Sequence, residues 1–163
     1  MVDRNLYFED AKLIWRNFSG REVPPYNAEG SRNFCIRLDE ETANELKAEG
    51  WNIREKVSKY DPNDVIFTLQ VHVRYGKYPP KIVLVTSKNR TVLTEDNISQ
   101  LDWAEIIKAK VAISPYNYDF AGKKGTKAML STLYVEIEEE EDPFEKDYVD
   151  IPLSGSIDEE LPF

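Results

Sequence analysis

The clearest alternation of apolar and polar side chains in the chain covers residues 65–75. Every second residue from Val65 to Tyr75 is apolar or aromatic, and the residues between them are mostly polar. A period of two predicts a β-strand with one face in a core and the other toward solvent. The polar face becomes basic toward its end, where His72 and Arg74 lie.

Six further segments rich in β-branched and aromatic residues predict strands. They are residues 6–18, 32–38, 51–57, 81–86, 106–114 and 128–137. Gly, Pro and Asn mark loops or turns between them, at residues 19–31, 58–63, 76–80, 89–90 and 116–127. Alternation places Ile107 on a core face, and residues 95–103 are compatible with either a short helix or a turn.

One helix is predicted between the strands at residues 32–38 and 51–57. Asp39 can cap its start and Gly50 can end it, while Ala43 and Leu46 lie three residues apart on one side. The set of elements predicts an all-β domain with one or two short helices. We expect a five-stranded barrel with extra strands, similar to the oligonucleotide/oligosaccharide-binding (OB) fold.

Charge is divided unevenly along the chain. Residues 135–163 contain 12 acidic residues and one lysine, a net charge of −11, whereas residues 1–134 carry +2. After Glu138 the composition shifts to acidic residues, Pro, Gly and Ser without a core pattern. We therefore predict a nucleic-acid-binding domain over residues 1–137 and a mobile acidic tail for protein interaction over residues 138–163.

The last six residues suggest a specific role for this tail. They are Asp158, Glu159, Glu160, Leu161, Pro162 and Phe163. An aromatic ring does not improve solubility, but it can fill a pocket on another protein while a carboxylate binds the basic rim of that pocket. We therefore expect this segment to bind a partner protein.

The first candidate surface for DNA is the segment of residues 116–127. Its aromatic residues alternate and its lysines follow among glycines: Tyr116, Tyr118, Phe120, Lys123, Lys124 and Lys127. Exposed rings stack on bases and lysines neutralise phosphates. An ordinary hairpin with solvated lysines and rings folded onto the core explains this segment equally well, and the acidic tail favours the binding interpretation.

The second candidate surface is the polar face of residues 65–75 with the turns that follow it. It supplies Arg74, Lys77, Tyr78, Lys88 and Arg90. The alternative is an ordinary solvated sheet face. His72, the single histidine of the chain, is more typical of a surface residue than of a catalyst.

A third candidate surface is rich in arginine and lies around the loop between the first two predicted strands. Arginine can stack on aromatic rings and bind single strands, so Arg16 and Arg32 are candidate DNA ligands. Trp15 and Phe34 are expected in the core. Tyr26, beside two prolines, is expected to be exposed.

Catalysis finds little support in the sequence. One cysteine, Cys35, and one histidine exclude a Cys/His zinc site, and no glycine-rich phosphate loop is present. We therefore predict a protein that is not an enzyme and has no metal or cofactor. Two alternatives stay open: a metal-dependent nuclease acting on DNA through carboxylates such as Asp96, Asp102 and Asp119, and an acidic-tailed protein-interaction module without DNA binding.

Membrane and secretion signals are missing from the sequence. No apolar stretch approaches the ~20 residues that span a bilayer, and the first ten residues have no signal-peptide core. A lone cysteine in an apolar run fits a reducing compartment. We expect a cytoplasmic protein.

Parts of the chain resemble single-stranded DNA-binding proteins. The ending Asp-Glu-Glu-Leu-Pro-Phe is similar to the acidic tail tip of the bacterial proteins. Residues 8–20 and 32–34, and the Gly-Lys-Lys-Gly-Thr-Lys-Ala of residues 122–128, resemble the single-stranded DNA-binding proteins of tailed phages, which pair an OB-fold with an acidic tail ending in Phe.

This resemblance implies a role in phage DNA replication, recombination and repair in the cytoplasm of an infected bacterial host. The body would coat exposed single strands without sequence preference. The tail would recruit a polymerase, helicase or nuclease, and it would compete with DNA for the basic surface. Whether the protein forms a homodimer stays open.

Overall fold

The structure, a computed structural model, describes residues 2–138. This part of the chain contains nine strands, one α-helix and one 3₁₀ helix. In chain order they are β1 (Leu6–Phe8), β2 (Lys12–Asn17), β3 (Arg32–Leu38), α1 (Glu40–Glu49), β4 (Ile53–Val57), β5 (Val65–Val73), β6 (Lys81–Val85), β7 (Arg90–Leu93), the 3₁₀ helix (Ile98–Asp102), β8 (Ile106–Phe120) and β9 (Lys123–Ile137). Residues 139–163, which hold nearly all of the predicted tail, lie outside the described residues.

Strand pairing closes a barrel. β2 pairs with β3, β3 with β5, β5 with β9 in parallel, and β9 with β8. β1 pairs with β8, and the N–H of Ala11 donates to the carbonyl of Ala109 over 2.9 Å, which joins the β1–β2 segment back to β8. With β1 and β2 counted as one interrupted strand, the barrel has five strands in an OB-like order, so the predicted fold class is confirmed.

Three extra strands widen the sheet. β4 pairs with β5, β6 pairs in parallel with β9, and β7 pairs with β6. β9 therefore borders β5 at residues 128–129 and β6 at residues 132–136. The N-terminal half of β9 therefore neighbours β5, and its C-terminal half neighbours β6.

The core forms where apolar faces of the strands meet inside the barrel. Phe18 and Phe34 are fully buried, with their rings stacked at 5.2 Å. Leu69 and Val71 of β5 are fully buried as the alternation predicts. Each such side chain contributes about 1.5–3 kcal/mol to folding, which fixes the polar side of β5 on the opposite face.

The segment that the sequence left ambiguous forms the 3₁₀ helix, with Ile98 and Leu101 fully buried. Asp102 is buried as well. Its carboxylate accepts hydrogen bonds from the main-chain N–H groups of Phe18 and Ser19, and from the Ser19 hydroxyl at 2.7 Å. These bonds hold the loop after β2, so Asp102 has a structural role here.

The helix begins and ends where its caps predict. Asp39 accepts a hydrogen bond of 2.7 Å from the N–H of Thr42, and this bond lowers the pKa of the Asp39 carboxyl. Gly50 ends the helix with φ 115°. A residue without a Cβ adopts this conformation at little cost. The predicted helix is confirmed.

Two strand predictions were wrong in extent. Residues 6–18 form β1 and β2 instead of one strand, because the two halves pair with different partners, β8 and β3. β8 and β9 continue through the predicted loop of residues 116–127 and leave only Ala121 and Gly122 as the turn. Both have positive φ, 53° and 79°, as in the tight turns that suit a twisted hairpin.

Two local predictions were also wrong. Residues 89–90 were expected in a turn, but β7 begins at Arg90 and pairs with β6. Ile107 was expected in the core, but it is 57% exposed. The pairing of β8 with β9 is irregular between Ile106 and Lys108, and such a bulge redirects a side chain.

Candidate nucleic-acid interface

One side of β3, β4 and β5 collects polar and cationic side chains. Directly paired residues point to the same side of a sheet. Thr68 of β5 pairs with Arg37 of β3 and with Arg54 of β4. His72 of β5 pairs with Met129 of β9, which extends this side to the β8–β9 hairpin. We call this surface, with its hairpin, the aromatic–basic face. Its members are Trp15, Arg37, Asn52, Arg54, Lys56, Gln70, His72, Arg74, Tyr116, Tyr118, Phe120, Lys123 and Lys127.

The hairpin of β8 and β9 places three rings and two lysines on one side. Tyr116 pairs with Lys127, and Tyr118 lies two residues further along β8. At the tip, Phe120 pairs with Lys123. Phe120 is 80% exposed and Tyr116 is 53% exposed. The Lys127 ammonium lies 5.7 Å from the centre of the Tyr118 ring, so ring and charge are combined in one unit.

Lys124 points to the other side of the hairpin. It pairs with Asp119, and its Nζ lies 3.7 Å from an Asp119 carboxylate oxygen. Alternation along β9 separates it from Lys123. The sequence grouped all the hairpin lysines, whereas the structure brings only Lys123 and Lys127 to the rings.

Tyr118 is positioned by a residue from a distant part of the chain. The Asn52 side chain donates to the Tyr118 hydroxyl at 3.1 Å and accepts from the N–H of Thr126 at 3.2 Å. Tyr118 lies over Gly125. A Cβ at Gly125 would stand 2.5 Å from the Tyr118 hydroxyl and from the Asn52 carbonyl oxygen. The glycine therefore leaves the space that this ring occupies.

Trp15 was expected in the core, and this prediction was wrong. A bulge between Ile14 and Asn17 puts Trp15 at φ 50°, and its side chain is 51% exposed. The Lys56 ammonium lies 5.3 Å from the ring centre. Because β2 and β4 are separated by β3 and β5, this contact spans the middle of the face.

The aromatic–basic face is positively charged. In β4, Arg54 and Lys56 lie on the face, whereas Glu55 points to the other side, 3.7 Å from the ammonium of Lys47. A concentration of one sign of charge attracts counter-ions of the other sign. The face therefore suits a polyanion.

His72 lies half-buried in the middle of these cations. Burial lowers the pKa of its imidazole first, and the charges of Lys127, Arg54 and Arg74 lower it further. The imidazole is therefore neutral at pH 7. Because the pKa of His72 is lower in the folded than in the unfolded chain, the folded state loses stability as the pH falls below the ordinary histidine pKa.

Binding of a polyanion is expected to raise the pKa of His72. Phosphates would replace part of the repulsion from Lys127, Arg54 and Arg74 with attraction, which favours the imidazolium. A proton NMR titration of this single histidine, with and without an oligo-dT, measures the change. We expect the pKa of His72 to rise on binding. DNA should then bind more tightly as the pH falls through the interval between the bound and the free pKa. An unchanged or lowered pKa would place the strand elsewhere.

Two candidate arginines have structural roles. Arg16 donates to the carbonyls of Leu101 and Ala104 at 2.8 and 2.7 Å. Arg32 donates to the carbonyl of Phe18 at 3.0 Å and to Glu95 at 3.0 Å. These bonds fix the loops around the 3₁₀ helix, so we do not include either arginine in the aromatic–basic face.

The remaining candidates are spread over two regions. Arg74 follows β5 beside His72, and Tyr78 is highly exposed in the next loop with the Lys77 ammonium 5.6 Å from its ring centre. Lys88 lies in the turn between β6 and β7. Arg90 begins β7, in a separate groove that is described below.

Sequence reasoning missed several members of the face: Trp15, Arg37, Asn52, Arg54 and Lys56. The alternation of Arg54 and Lys56 in a predicted strand was a usable signal for a basic side. Asn52 gave none, because its role depends on a contact with Tyr118 across 66 residues.

The part of the chain that the structure describes contains no cluster of three or more His, Cys, Asp or Glu that could hold a metal ion. Asp119 faces Lys124, and Asp102 is bonded to main-chain groups. None of the described helices is long and apolar enough to cross a membrane.

The barrel order and its aromatic–basic face define an OB-like domain, a class in which one face of the barrel and its hairpin loops bind oligonucleotides or oligosaccharides. The chain belongs to the family described as "Putative phage ssDNA-binding domain", which matches residues 1–161. No curated protein matches the chain.

Solved structures of the single-stranded DNA-binding protein of bacteriophage Enc34 are similar in fold. A C-terminal truncation of that protein aligns with a TM-score of 0.53 and 9% identity over 83% of this chain and 87% of the other. Its complex with ssDNA aligns with a TM-score of 0.53 and 9% identity over 83% and 88%. A further structure of that protein gives 0.52 and 11% over 83% and 82%.

Proposed function

We propose that this protein binds single-stranded DNA without sequence preference and without catalysing a reaction. The observation that carries this proposal is the meeting of Tyr116, Tyr118 and Phe120 with Lys123 and Lys127 on one side of the hairpin. Rings stack on any base and lysines neutralise any phosphate, so the contact tolerates every sequence.

The strand would follow the aromatic–basic face. Phe120 and Lys123 begin the path at the hairpin tip, and His72 and Arg74 lie further along β5. At the two edges of the face, Trp15 would stack on a base and Lys56 would neutralise a phosphate. The family assignment and the fold shared with a phage protein that was solved with ssDNA support single-stranded DNA as the ligand.

A fluorescence titration with oligo-dT and with duplex DNA at two salt concentrations tests the function. We expect the single strand to bind more tightly than the duplex. Affinity should fall as salt rises, because lysines displace counter-ions from the DNA phosphates. Equal affinity for the duplex would refute the strand preference. Cleavage that requires a divalent metal would favour the nuclease alternative, and no binding would favour the protein-interaction module.

We also propose that residues 1–137 are the DNA-binding domain and that residues 138–163 serve other proteins. β9 ends at Ile137, just before the run of acidic residues. The segment from Asp158 to Phe163 would recruit a polymerase, helicase or nuclease during phage replication, recombination and repair in the host cytoplasm. The acids of the tail would compete with DNA for the aromatic–basic face.

Removing residues 138–163 is expected to tighten DNA binding most clearly at low salt, because the tethered acids are then lost as competitors. Deleting Phe163 alone removes no side-chain acid and should leave DNA affinity nearly unchanged. It should abolish capture of replication proteins from an extract of infected cells. Equal DNA affinity with and without the tail would refute competition, and undiminished capture would refute recruitment by Phe163.

A further inference from the structure

A second cationic surface lies away from the aromatic–basic face. It is a groove of about 350 Å³ lined by Val85, Arg90, Lys108, Lys110, Tyr134 and Glu136. We call it the basic groove. Lys108 pairs with Glu136 across β8 and β9, and Val85 of β6 pairs with Arg90 of β7. The wall of the basic groove is thus built from β6, β7 and the halves of β8 and β9 that are remote from the hairpin tip.

The position of the basic groove along β9 separates it from the rings. Between Met129 and Thr132 the neighbour of β9 changes from β5 to β6. Lys127, on the aromatic–basic face, and Tyr134, in the groove, are seven residues apart along β9, which is about 23 Å of strand.

The basic groove carries an excess of positive charge. Arg90, Lys108 and Lys110 are exposed, and Glu136 is the acid in the lining. Lys110 also has Glu9 near it, at 3.8 Å. The groove therefore suits an acidic ligand of modest size.

The chain leaves the barrel at this groove. Glu136 lines it, β9 ends at Ile137, and five consecutive acids follow at residues 138–142. Five extended residues reach about 17 Å, whereas Lys127 is ten residues back along β9, about 33 Å of strand. These five acids can thus reach the basic groove but not the hairpin lysines.

We propose that residues 138–142 bind in the basic groove of the same molecule. The short tether gives these acids a high local concentration beside Arg90, Lys108 and Lys110. The first acids of the tail are then held away from the DNA-binding face, and only the later acids, from Glu145 onward, compete with DNA. This assigns the two halves of the tail to different surfaces.

Zero-length carbodiimide crosslinking of the full chain tests the proposal, with peptides mapped from the monomer band. We expect amide crosslinks from Lys108 or Lys110 to residues 138–142, with a Lys108–Glu136 crosslink as internal reference. High salt should reduce their yield relative to that reference. Saturating oligo-dT should leave them in place.

Arg90 can be substituted without removing a crosslinking site, because carbodiimide does not couple arginine. R90Q removes one charge from the groove and should lower the yield of the crosslinks to residues 138–142 at least twofold. R74Q removes an equal charge beside the aromatic–basic face and should leave that yield unchanged.

Four outcomes would overturn the proposal. They are crosslinks of residues 138–142 to Lys123 or Lys127, absence of crosslinks to Lys108 and Lys110, displacement of the groove crosslinks by oligo-dT, and insensitivity to both salt and R90Q. Displacement by oligo-dT would make the basic groove part of the DNA path. The mapping itself requires no DNA binding, so failure of the proposed function leaves this test intact.

Discussion

Replacing Lys123 and Lys127 together by alanine is expected to weaken binding of single-stranded DNA equally for all sequences. Each lysine lies beside an exposed ring of the hairpin, where a phosphate of a stacked nucleotide would be within reach. A phosphate contact on a single strand contributes about 0.7 to the slope of log K against log salt, so losing both should reduce that slope by about 1.4. Titrations of oligo-dT over a salt series measure it.

Lys124→Ala is the matched control for this pair. Lys124 carries the same charge in the same hairpin, but it points to the other side and faces Asp119 at 3.7 Å. Its substitution should leave the salt slope nearly unchanged. If Lys124→Ala reduced the slope as much as Lys123→Ala or Lys127→Ala made singly, the side of the hairpin would not matter and the aromatic–basic face would be assigned wrongly.

The contrast between these lysines shows what the sequence could predict about the site. Spacing within residues 116–127 identified the rings and the cations, because they are neighbours in the chain. The division between Lys123 and Lys124 depends on the strands continuing to a turn at residues 121–122. Local composition with two glycines favoured a longer loop, and only the pairing of β8 with β9 extends the strands through it.

The fold was predictable where local interactions determine it. Asp39 and Gly50 set the helix ends through bonds within a few residues. The division of the first strand at residues 9–11 is different, because it follows from pairing with β8 and β3, which lie far apart in the sequence. The exposure of Trp15 likewise depends on a bulge that the apolar pattern does not indicate.

The two structural arginines illustrate a limit of composition. Arg16 and Arg32 stand beside aromatic residues in the sequence, which is the pattern expected of a DNA ligand. In the fold they donate to main-chain carbonyls and to Glu95. A guanidinium can fill either role with the same donors, so sequence alone does not reveal the structural bonds, and a DNA contact by Arg16 or Arg32 stays a prediction.

Replacing Tyr118 by alanine is expected to cost about 1–3 kcal/mol of single-strand binding, the usual contribution of one stacked base. The Tyr118 hydroxyl is held by Asn52, and the Lys127 ammonium lies 5.7 Å from the ring centre. Such a ring is already ordered before DNA binds, so little conformational entropy is lost on stacking. Tyr7→Ala is the control, since Tyr7 is another tyrosine with an exposed ring but pairs with Ala112, in the half of β8 that is remote from the hairpin tip.

Gly125→Ala should produce a loss of similar size without touching the ring itself. The new Cβ would stand 2.5 Å from the Tyr118 hydroxyl and from the Asn52 carbonyl oxygen, so both side chains must move. Gly76→Ala is its control, because no atom lies within 4 Å of a Cβ there. Urea unfolding of each variant separates any loss of stability from the loss of binding.

A double-mutant cycle decides whether Gly125 acts through Tyr118. If the glycine only leaves room for the ring, the double variant Tyr118→Ala with Gly125→Ala should bind no more weakly than Tyr118→Ala alone, because the ring that Gly125 accommodates is already absent. Additive losses would mean that Gly125 affects DNA through its own backbone. If Tyr118→Ala bound DNA with unchanged affinity, Tyr118 would not belong to the stacking surface. The exposed rings of Tyr116 and Phe120 would then be the residues that stack on bases.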